Sequence, residues 1–187
     1  PPDKKKFYYA FNEKIYMDEI ANQFVVKFKD KKKADNHLQS LLTEIADSKK
    51  IQSHGETTIF IDASDGKSLD QLLAGKMADV ENIVPVYRYQ KMMMYYTNEI
   101  LVEPKPGLTI SEVISKNNLG AYTKIKEGKF FSVVTVASGY DACDIANQVQ
   151  ESGLVVYSYP NFYAPIEKTE YIPNDTYFSN QFYLKNT

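Results

Sequence analysis

The sequence contains few side chains that could carry out chemistry. It has one cysteine, Cys143, and two histidines, His37 and His54, among 187 residues. A single cysteine excludes an intrachain disulfide and a cysteine-rich zinc site. Two histidines leave few ways to build a general base or a metal centre. By its own groups the chain is therefore poor in chemistry, and Cys143 is predicted to be a small core residue of a helix.

One stretch does combine residue types that hydrolytic enzymes use. His54-Gly55 is followed by a strand-like run, residues 58–64, that contains Asp62. A catalytic triad is defined by the geometry and the roles of its members. His54 and Asp62 lie too close in sequence to come from separate elements, and the chain has no Gly-Thr-Ser segment to supply a nucleophile. We therefore interpret His54-Gly55 as a hairpin and Asp62 as the start of a polar turn.

The charge balance argues against nucleic acid as a partner. The chain has 22 basic and 24 acidic residues, a formal net charge of −2, whereas nucleic-acid binding needs a basic footprint. The aromatic run in residues 129–134 is similar to an RNA-stacking strand, but the opening strand of that region lacks the matching aromatic. No apolar run approaches the ~18–20 residues of a transmembrane helix. We expect no nucleic-acid partner, no membrane span and no cofactor held by this chain alone.

The elements that must position these side chains occur twice in the same order. Residues 24–90 and residues 99–160 each alternate apolar, β-rich runs with apolar stripes at helical spacing. Each copy predicts the order β-α-β-β-α-β, the split arrangement of a ferredoxin-like sandwich. The predicted fold class is α+β, with two tandem ferredoxin-like units, each an antiparallel sheet with both helices on one face.

The repeat also sets the expected domain boundaries. The first unit covers residues 1–92 and the second covers residues 93–165, which leaves residues 166–187 outside both. Residues 91–98 join the two units and include Met92-Met93-Met94 and Tyr95-Tyr96. Because this join is short and apolar, we expect the two units to pack against each other.

Local signals mark the ends of the predicted helices and strands. Three pairs have the spacing of a helix-opening cap: Ser68 with Gln71, Thr109 with Glu112, and Ser138 with Asp141. Glu127-Gly128 predicts a hairpin turn that leads into a strand over residues 129–136.

Alternation along that strand defines two faces. It places Phe131, Val133 and Thr135 on one face, and Phe130, Ser132, Val134 and Val136 on the other. Both sets are apolar enough to form a core, so the pattern leaves open which one does. The face without helices is expected to be open, and an open apolar or aromatic sheet face usually marks a partner surface.

The most specific pattern lies in residues 154–187. The segment Tyr171–Thr187 reads YIPNDTYFSNQFYLKNT. It closely resembles the first residues of the catalytic domain in subtilisin-like serine proteases, P-N-D-P-x-(Y/F)-x-x-Q-W-x-L-x-N-T, with departures at Thr176 and Phe182. The segment Leu154–Phe162 reads LVVYSYPNF and resembles the end of the propeptide in that family, V-x-Y-A-E-P-N-(F/Y), with Tyr159 in place of the glutamate.

The resemblance implies a role for the whole chain. In this family the propeptide is both the folding chaperone and the inhibitor of its own protease. Its open sheet packs on two surface helices of the protease, and its tail lies in the substrate cleft as an added strand until autocleavage. This chain is then not an enzyme, its partner is the cognate subtilisin-like catalytic domain, and the parent is a serine endopeptidase. The implied location is secreted, periplasmic or at the cell surface.

The resemblance also assigns residues, one by one. The candidate protease-contact surface consists of Phe131, Val133, Tyr157, Tyr159 and Asn161. The candidate cleft-binding tail runs from Phe162, Tyr163 and Ala164 to Glu170, with cleavage near Glu170–Tyr171. Residues 166–187 are then the cleavage linker and the start of the catalytic domain. Asp175 matches a calcium ligand of some relatives, so calcium is expected only in the full-length protein. The glutamate missing at Tyr159 removes a contact with the positive helix N-termini of the protease, worth ~0.3–1 kcal/mol.

Two other functions remain open from the residues alone. The 15 tyrosines suit an extracellular binding or adhesion module that uses its tyrosine-rich faces and has no link to a protease. A small-molecule sensor of the ACT type has the same order of elements. The sequence also leaves open whether the first unit braces the second or covers another part of the enzyme.

Overall fold

The computed structural model describes residues 5–45, 50–64, 67–117 and 122–164. The first half of the molecule contains β1 (Lys6–Ala10), β2 (Glu13–Phe28), α1 (Lys31–Glu44), β3 (Ile51–Ser53), β4 (Thr58–Asp62), α2 (Leu69–Leu72), a 3-10 turn (Met77–Asp79) and β5 (Val80–Tyr89). The second half contains β6 (Met92–Pro104), α3 (Ile110–Lys116), β7 (Tyr122–Glu127), β8 (Ser132–Val136), α4 (Ala142–Glu151) and β9 (Val155–Tyr163).

The strands form one sheet in which every pair of described neighbours is antiparallel. Its nine strands lie in the order β3-β4-β2-β5-β6-β8-β7, with β1 paired to β2 and β9 paired to β6. Across the described residues the chain is thus α+β, with four helices against an antiparallel sheet, and the predicted fold class is confirmed at this level. Within the halves the orders are β3-β4-β2-β5 and β7-β8-β6-β9.

The segment between the halves is part of the sheet. Residues 91–98 were expected to be a join, but β6 already begins at Met92 and pairs with β5 through Tyr87↔Met94 and Tyr89↔Met92. The connection is a tight turn at Gln90 and Lys91, with a left-handed φ of 55° at Gln90. The methionines and tyrosines therefore belong to a strand that both halves share.

The structure contains a hairpin at the amino-terminal end that the sequence repeat does not predict. Strand β1 pairs with the start of β2 from Lys6↔Met17 to Ala10↔Glu13. The turn residues Phe11 and Asn12 both have positive φ, 50° and 63°, as a two-residue type I′ hairpin requires. This N-terminal hairpin extends from the first half and contacts α4 of the second half.

The contact between the N-terminal hairpin and α4 is polar and partly buried. The carbonyl of Phe7 accepts from Asn147 Nδ2 at 2.8 Å and from Cys143 Sγ at 3.1 Å. Lys6 Nζ lies 2.7 Å from Asp144 Oδ1 and 3.0 Å from Asp141 Oδ1. Burial raises the pKa of Cys143 to about 12, and its side chain is fully buried. The prediction that Cys143 is a core residue is confirmed.

The helix starts agree with the local signals in two cases out of three. Ser68 caps α2 and Thr109 caps α3, each in a complete capping box. Helix α4, however, begins at its cap Asp141, whose side chain accepts from the Asp144 backbone N–H at 3.0 Å. The expected start at Ser138 was therefore wrong, because Asp141 is itself a strong N-cap residue three positions later.

Each half has a core between its helices and one face of its sheet. In the first half this core includes Val26, Phe28, Leu41, Ile59 and Ile61. In the second half the sheet residues of the core are Ile100, Val102, Val134 and Val136, and the helix residues include Val113, Ala146 and Val149. The opposite face of the first half is also buried, by a smaller cluster of Val25, Phe60, Val86 and Tyr95.

Helix α1 is attached to the first core mainly through Leu41, which is fully buried. We expect Leu41→Ala to lower the free energy of unfolding by about 2–5 kcal/mol, because it leaves a cavity under the helix. The matched control Gln39→Ala lies on the exposed side of the same helix and is expected to change it by less than about 0.5 kcal/mol. Chemical denaturation measures both, and equal effects would contradict the placement of α1.

Candidate functional site

The two faces of the second-half sheet are distinguished by burial along β8. Ser132, Val134 and Val136 are buried, whereas Val133 and Thr135 are half-buried. The question left open by the alternation is thereby answered: the core set is Ser132, Val134 and Val136. Val133 lies on the face without helices.

Phe130 and Phe131 do not belong to this strand. The expected strand over residues 129–136 begins only at Ser132, so its predicted start was wrong. The preceding residues form a turn closed by the Gly128 N–H, which donates to the Phe131 carbonyl at 3.0 Å. The turn is so tight that a Cβ on Gly128 would lie 2.6 Å from that carbonyl oxygen. Phe131 is therefore placed at the end of the sheet, with 39% of its surface exposed.

The strand register assembles the rest of the open face. Leu101 of β6 lies opposite Val133 on one side and Tyr159 on the other, and Glu103 lies opposite Tyr157. Strand β7 adds its residues at the outer end of the same rows. We define the open face as Glu99, Leu101, Glu103, Lys124, Lys126, Val133, Thr135, Tyr157, Tyr159 and Asn161. All of these residues are half-buried or exposed, and none is fully buried.

An aromatic pair stands at the edge of the open face. The rings of Tyr157 and Tyr159 are stacked, with centroids 4.9 Å apart and planes inclined by 22°. Burial raises the pKa of Tyr157, and the nearby Tyr159 and Glu103 raise it further. Tyr157 therefore stays uncharged, and the pair offers a flat, largely apolar surface beside Leu101.

The charges of the open face are separated by strand. The acidic residues Glu99 and Glu103 lie on the inner strand β6, and Lys124 and Lys126 lie on β7. Asn161 Nδ2 donates to Glu99 Oε2 at 3.0 Å. This hydrogen bond fixes Asn161 on the open face and occupies one oxygen of the carboxylate.

Four of the five residues proposed for protease contact thus share one sheet face: Val133, Tyr157, Tyr159 and Asn161. The fifth, Phe131, lies in the turn at the end of that sheet. Residues that the sequence reasoning missed are Leu101, Glu103 and the two lysines. The signal that could have found Leu101 and Glu103 is the alternation of β6, in which buried Ile100 and Val102 separate the side chains of the open face. The two lysines alternate in the same way along β7, with half-buried Ile125 between them.

The proposed tail residues are held by the sheet as far as they are described. Phe162 and Tyr163 form the end of β9 and pair with Tyr96 and Tyr95. Ala164 packs against the core of the second half. The remaining proposed residues, Glu170, Tyr171 and Asp175, lie outside the described residues, as does the whole of 166–187.

An apolar groove lies beside the open face. It has a volume of about 550 Å³ and runs between the N-terminal hairpin and β9. Aromatic residues from both sides line it, among them Tyr8, Phe11, Tyr157 and Phe162. Phe11, at the tip of the hairpin, is fully exposed.

Comparisons of the chain with protein-family models, curated proteins and solved structures find no match. The functional interpretation therefore rests on the residues and their geometry.

The described residues contain neither a cluster of candidate metal ligands nor a helix that could cross a membrane. Within residues 5–45, 50–64, 67–117 and 122–164, no group of three or more His, Cys, Asp or Glu side chains is arranged to hold a metal ion. In those same ranges no helix has the length and apolar character needed to cross a membrane.

The residue types of a hydrolase triad are used for packing and turns. Asp62 accepts from Gln23 Nε2 at 2.9 Å and from the Ser64 N–H at 3.0 Å, which makes it the start of a polar turn. His54 lies between aromatic rings, 5.7 Å from Phe60 and 5.1 Å from Tyr163 between centroids. His37 Nε2 lies 2.9 Å from Asp79 Oδ2.

Burial lowers the pKa of His54, and this makes folding stability depend on pH. The unfolded chain takes up a proton here below about pH 6.5, but the folded chain resists it. The unfolded state then binds more protons, so the free energy of unfolding falls as the pH falls. The stabilising contribution of neutral His54 is complete above about pH 7.5 and is lost as the pH falls through the folded-state pKa.

When the pH falls from 7.5 to 5.5, we expect the free energy of unfolding to fall less in His54→Phe than in the wild type. Phenylalanine keeps a ring in the cluster and has no titrating group. Urea denaturation at the two pH values measures the difference. The same pH dependence in both proteins would show that His54 is not the titrating residue.

Proposed function

We propose that this chain is the propeptide region of a subtilisin-like serine protease and acts as its folding chaperone and inhibitor. The observation that carries the proposal is a juxtaposition. The open face brings Val133, Tyr157, Tyr159 and Asn161 together, and its edge strand β9 is followed in sequence by the segment that resembles the start of a catalytic domain. A chain that must cover a partner and then continue into it needs this continuity.

We further propose that the two halves are ferredoxin-like units in tandem. In each half the last strand of the β-α-β-β-α-β order lies beside the first, and the second strand lies at the far edge. Both helices of each half contribute to the core on one face of the sheet. These two features support the assignment, which then leaves one face of the second unit free for the protease.

The open face has the chemistry to cover helices of a protease. The stacked tyrosines, with Leu101 and Val133, supply apolar area of the kind that dominates interface energies. Glu103 lies beside Tyr157, and we propose that its carboxylate takes the place of the glutamate missing at Tyr159. It would then contact the positive N-terminus of a protease helix.

The tail is proposed to enter the substrate cleft only after Ala164. Phe162 and Tyr163 are engaged in β9, so the segment available to the cleft is the one that leads to Glu170 and Tyr171. An extended chain entering the cleft can add a strand to the protease. Cleavage near Glu170–Tyr171 would separate the two parts, and Asp175 would serve the calcium site of the full-length, exported protein.

Chaperoning and inhibition follow from the same binding energy. A ligand that binds only the native protease stabilises it by mass action. The catalytic domains of this family are rich in non-local pairing, and such topologies fold slowly. A partner that covers surface helices would lower the free energy of a late folding state and would leave the product inhibited.

The first test is the coding sequence after Thr187 together with the catalytic domain that it encodes. We expect Asp, His and Ser motifs of a subtilisin-like protease there. The separately refolded domain should be inhibited by this chain, and it should refold faster in its presence. The absence of those motifs, or of both effects, would overturn the proposal.

The open face is tested by Tyr159→Ala. We expect inhibition to weaken about tenfold or more, because truncated aromatic anchors are the costly positions of an interface. The matched control is Tyr16→Ala, which removes an exposed tyrosine (55%) from the N-terminal hairpin and should leave inhibition unchanged. Inhibition constants are measured in a chromogenic peptide assay. Equal inhibition constants for the two variants would show that the protease does not contact the open face at Tyr159.

A further inference from the structure

The end of β9 is held by the first half of the molecule. Four rings form an aromatic cluster there: His54 and Phe60 from the first half, and Tyr95 and Tyr163 from the second. Tyr163 lies 5.1 Å from His54 and 4.9 Å from Tyr95 between ring centroids, and both pairs are stacked. His54 also stacks on Phe60 at 5.7 Å and on Tyr95 at 5.8 Å.

The base of this cluster is buried. Phe60 and Tyr95 are 7% and 5% exposed, and both belong to the buried cluster on the non-helical face of the first half. The backbone N–H of His54 donates to the Thr58 carbonyl at 2.8 Å, which ties it to the start of β4. Gly55, the next residue, has a left-handed φ of 107° that other residues rarely adopt.

Phe162, the residue before Tyr163, is held by other aromatic rings. Phe162 packs edge-on against Tyr8 at 4.6 Å and against Tyr96 at 6.2 Å. Successive side chains of a strand point to opposite sides, so the last two residues of β9 are gripped on both sides. Tyr8 of the N-terminal hairpin contacts Phe162, and His54 of the β3–β4 connection contacts Tyr163.

We propose that the first half is a clamp that fixes where, and in which direction, the chain leaves the sheet at Ala164. His54 is the positioning residue of this clamp and Tyr163 is the residue it holds. The inference rests on the proposed function, because the segment presented is the one proposed to enter the protease cleft. A segment whose exit is already ordered loses less conformational freedom on binding.

The clamp also gives the first half a role relative to the second half. On the sheet face of the first half away from the helices, Val25, Phe60, Val86 and Tyr95 are buried together, and the ring of His54 stacks on Tyr95. In this proposal the first half braces the end of β9.

The direct test is a distance measurement that needs no protease. Spin labels are placed at Gln39→Cys on α1 and at Glu167→Cys in the chain beyond Ala164. The native Cys143 is fully buried and does not compete for the label. The distance distribution is compared for the wild-type background, Tyr163→Ala and Tyr163→Phe, and for His54→Ala and His54→Phe.

We expect both alanine variants to broaden the distribution and both phenylalanine variants to keep it narrow, because phenylalanine retains the ring. Thermal melting checks that each variant is folded, and Tyr163 is 39% exposed and belongs to none of the three buried clusters. Equal widths in Tyr163→Ala and the wild type would overturn the clamp, whatever the inhibition data show.

The second readout is inhibition of the catalytic domain encoded after Thr187. We expect the alanine variants to inhibit about tenfold more weakly and the phenylalanine variants to inhibit like the wild type. If the wild type itself does not inhibit, the proposed function fails, while the distance data still decide the clamp. If Tyr163→Ala broadens the distribution yet inhibits like the wild type, the clamp exists but its role in presenting the tail is overturned.

Discussion

Strand β6 is the element on which both halves of the molecule depend. It runs for 13 residues, pairs with β5 at its start and pairs with β8 and β9 farther along. Two consecutive side chains serve different halves. Tyr95 faces the aromatic cluster, whereas Tyr96 lies in the second core and donates to Asp141, the cap of α4, at 2.7 Å. Burial raises the pKa of both phenols, so neither brings a charge into the junction.

The shared strand explains why two similar halves have different free surfaces. Because β5 and β6 form a hairpin, Tyr95 is brought against the non-helical face of the first half and buries it. No corresponding element covers the non-helical face of the second half among the described residues. Both histidines of the chain pack against aromatic rings. His54 lies in the aromatic cluster, and His37 stacks on Phe28 at 5.0 Å beside Asp79.

The sequence allowed the local features to be predicted better than the long-range ones. The capping boxes at Ser68 and Thr109 depend on residues three positions apart, so they are readable without the fold. The core face of β8 was not readable, because Val133 and Val134 are equally apolar and only the helices decide between them. The hairpin at Phe11-Asn12 was missed because it lacks the glycine that usually signals such a turn.

The same limit applies to the candidate site. Val133, Tyr157, Tyr159 and Asn161 could be grouped only through the family resemblance, whereas their common face depends on the register between three strands. Leu101 and Glu103 come from a strand that the resemblance does not mark. Residues 91–98 were interpreted as a join because no local pattern shows that a methionine run will pair with the preceding strand.

The outer edge of β9 favours a partner that approaches the open face. This strand pairs only with β6 among the described strands, and unpaired edges invite the addition of another strand. Here the Ser158 N–H donates to Gln150 Oε1 at 2.6 Å, and Gln150 in turn donates to Asn12 Oδ1 at 2.9 Å. Helix α4 and the N-terminal hairpin thus occupy that part of the edge. That part of the edge is therefore not free to add a strand, whereas the stacked tyrosines lie on the open face, where a covering surface can contact them.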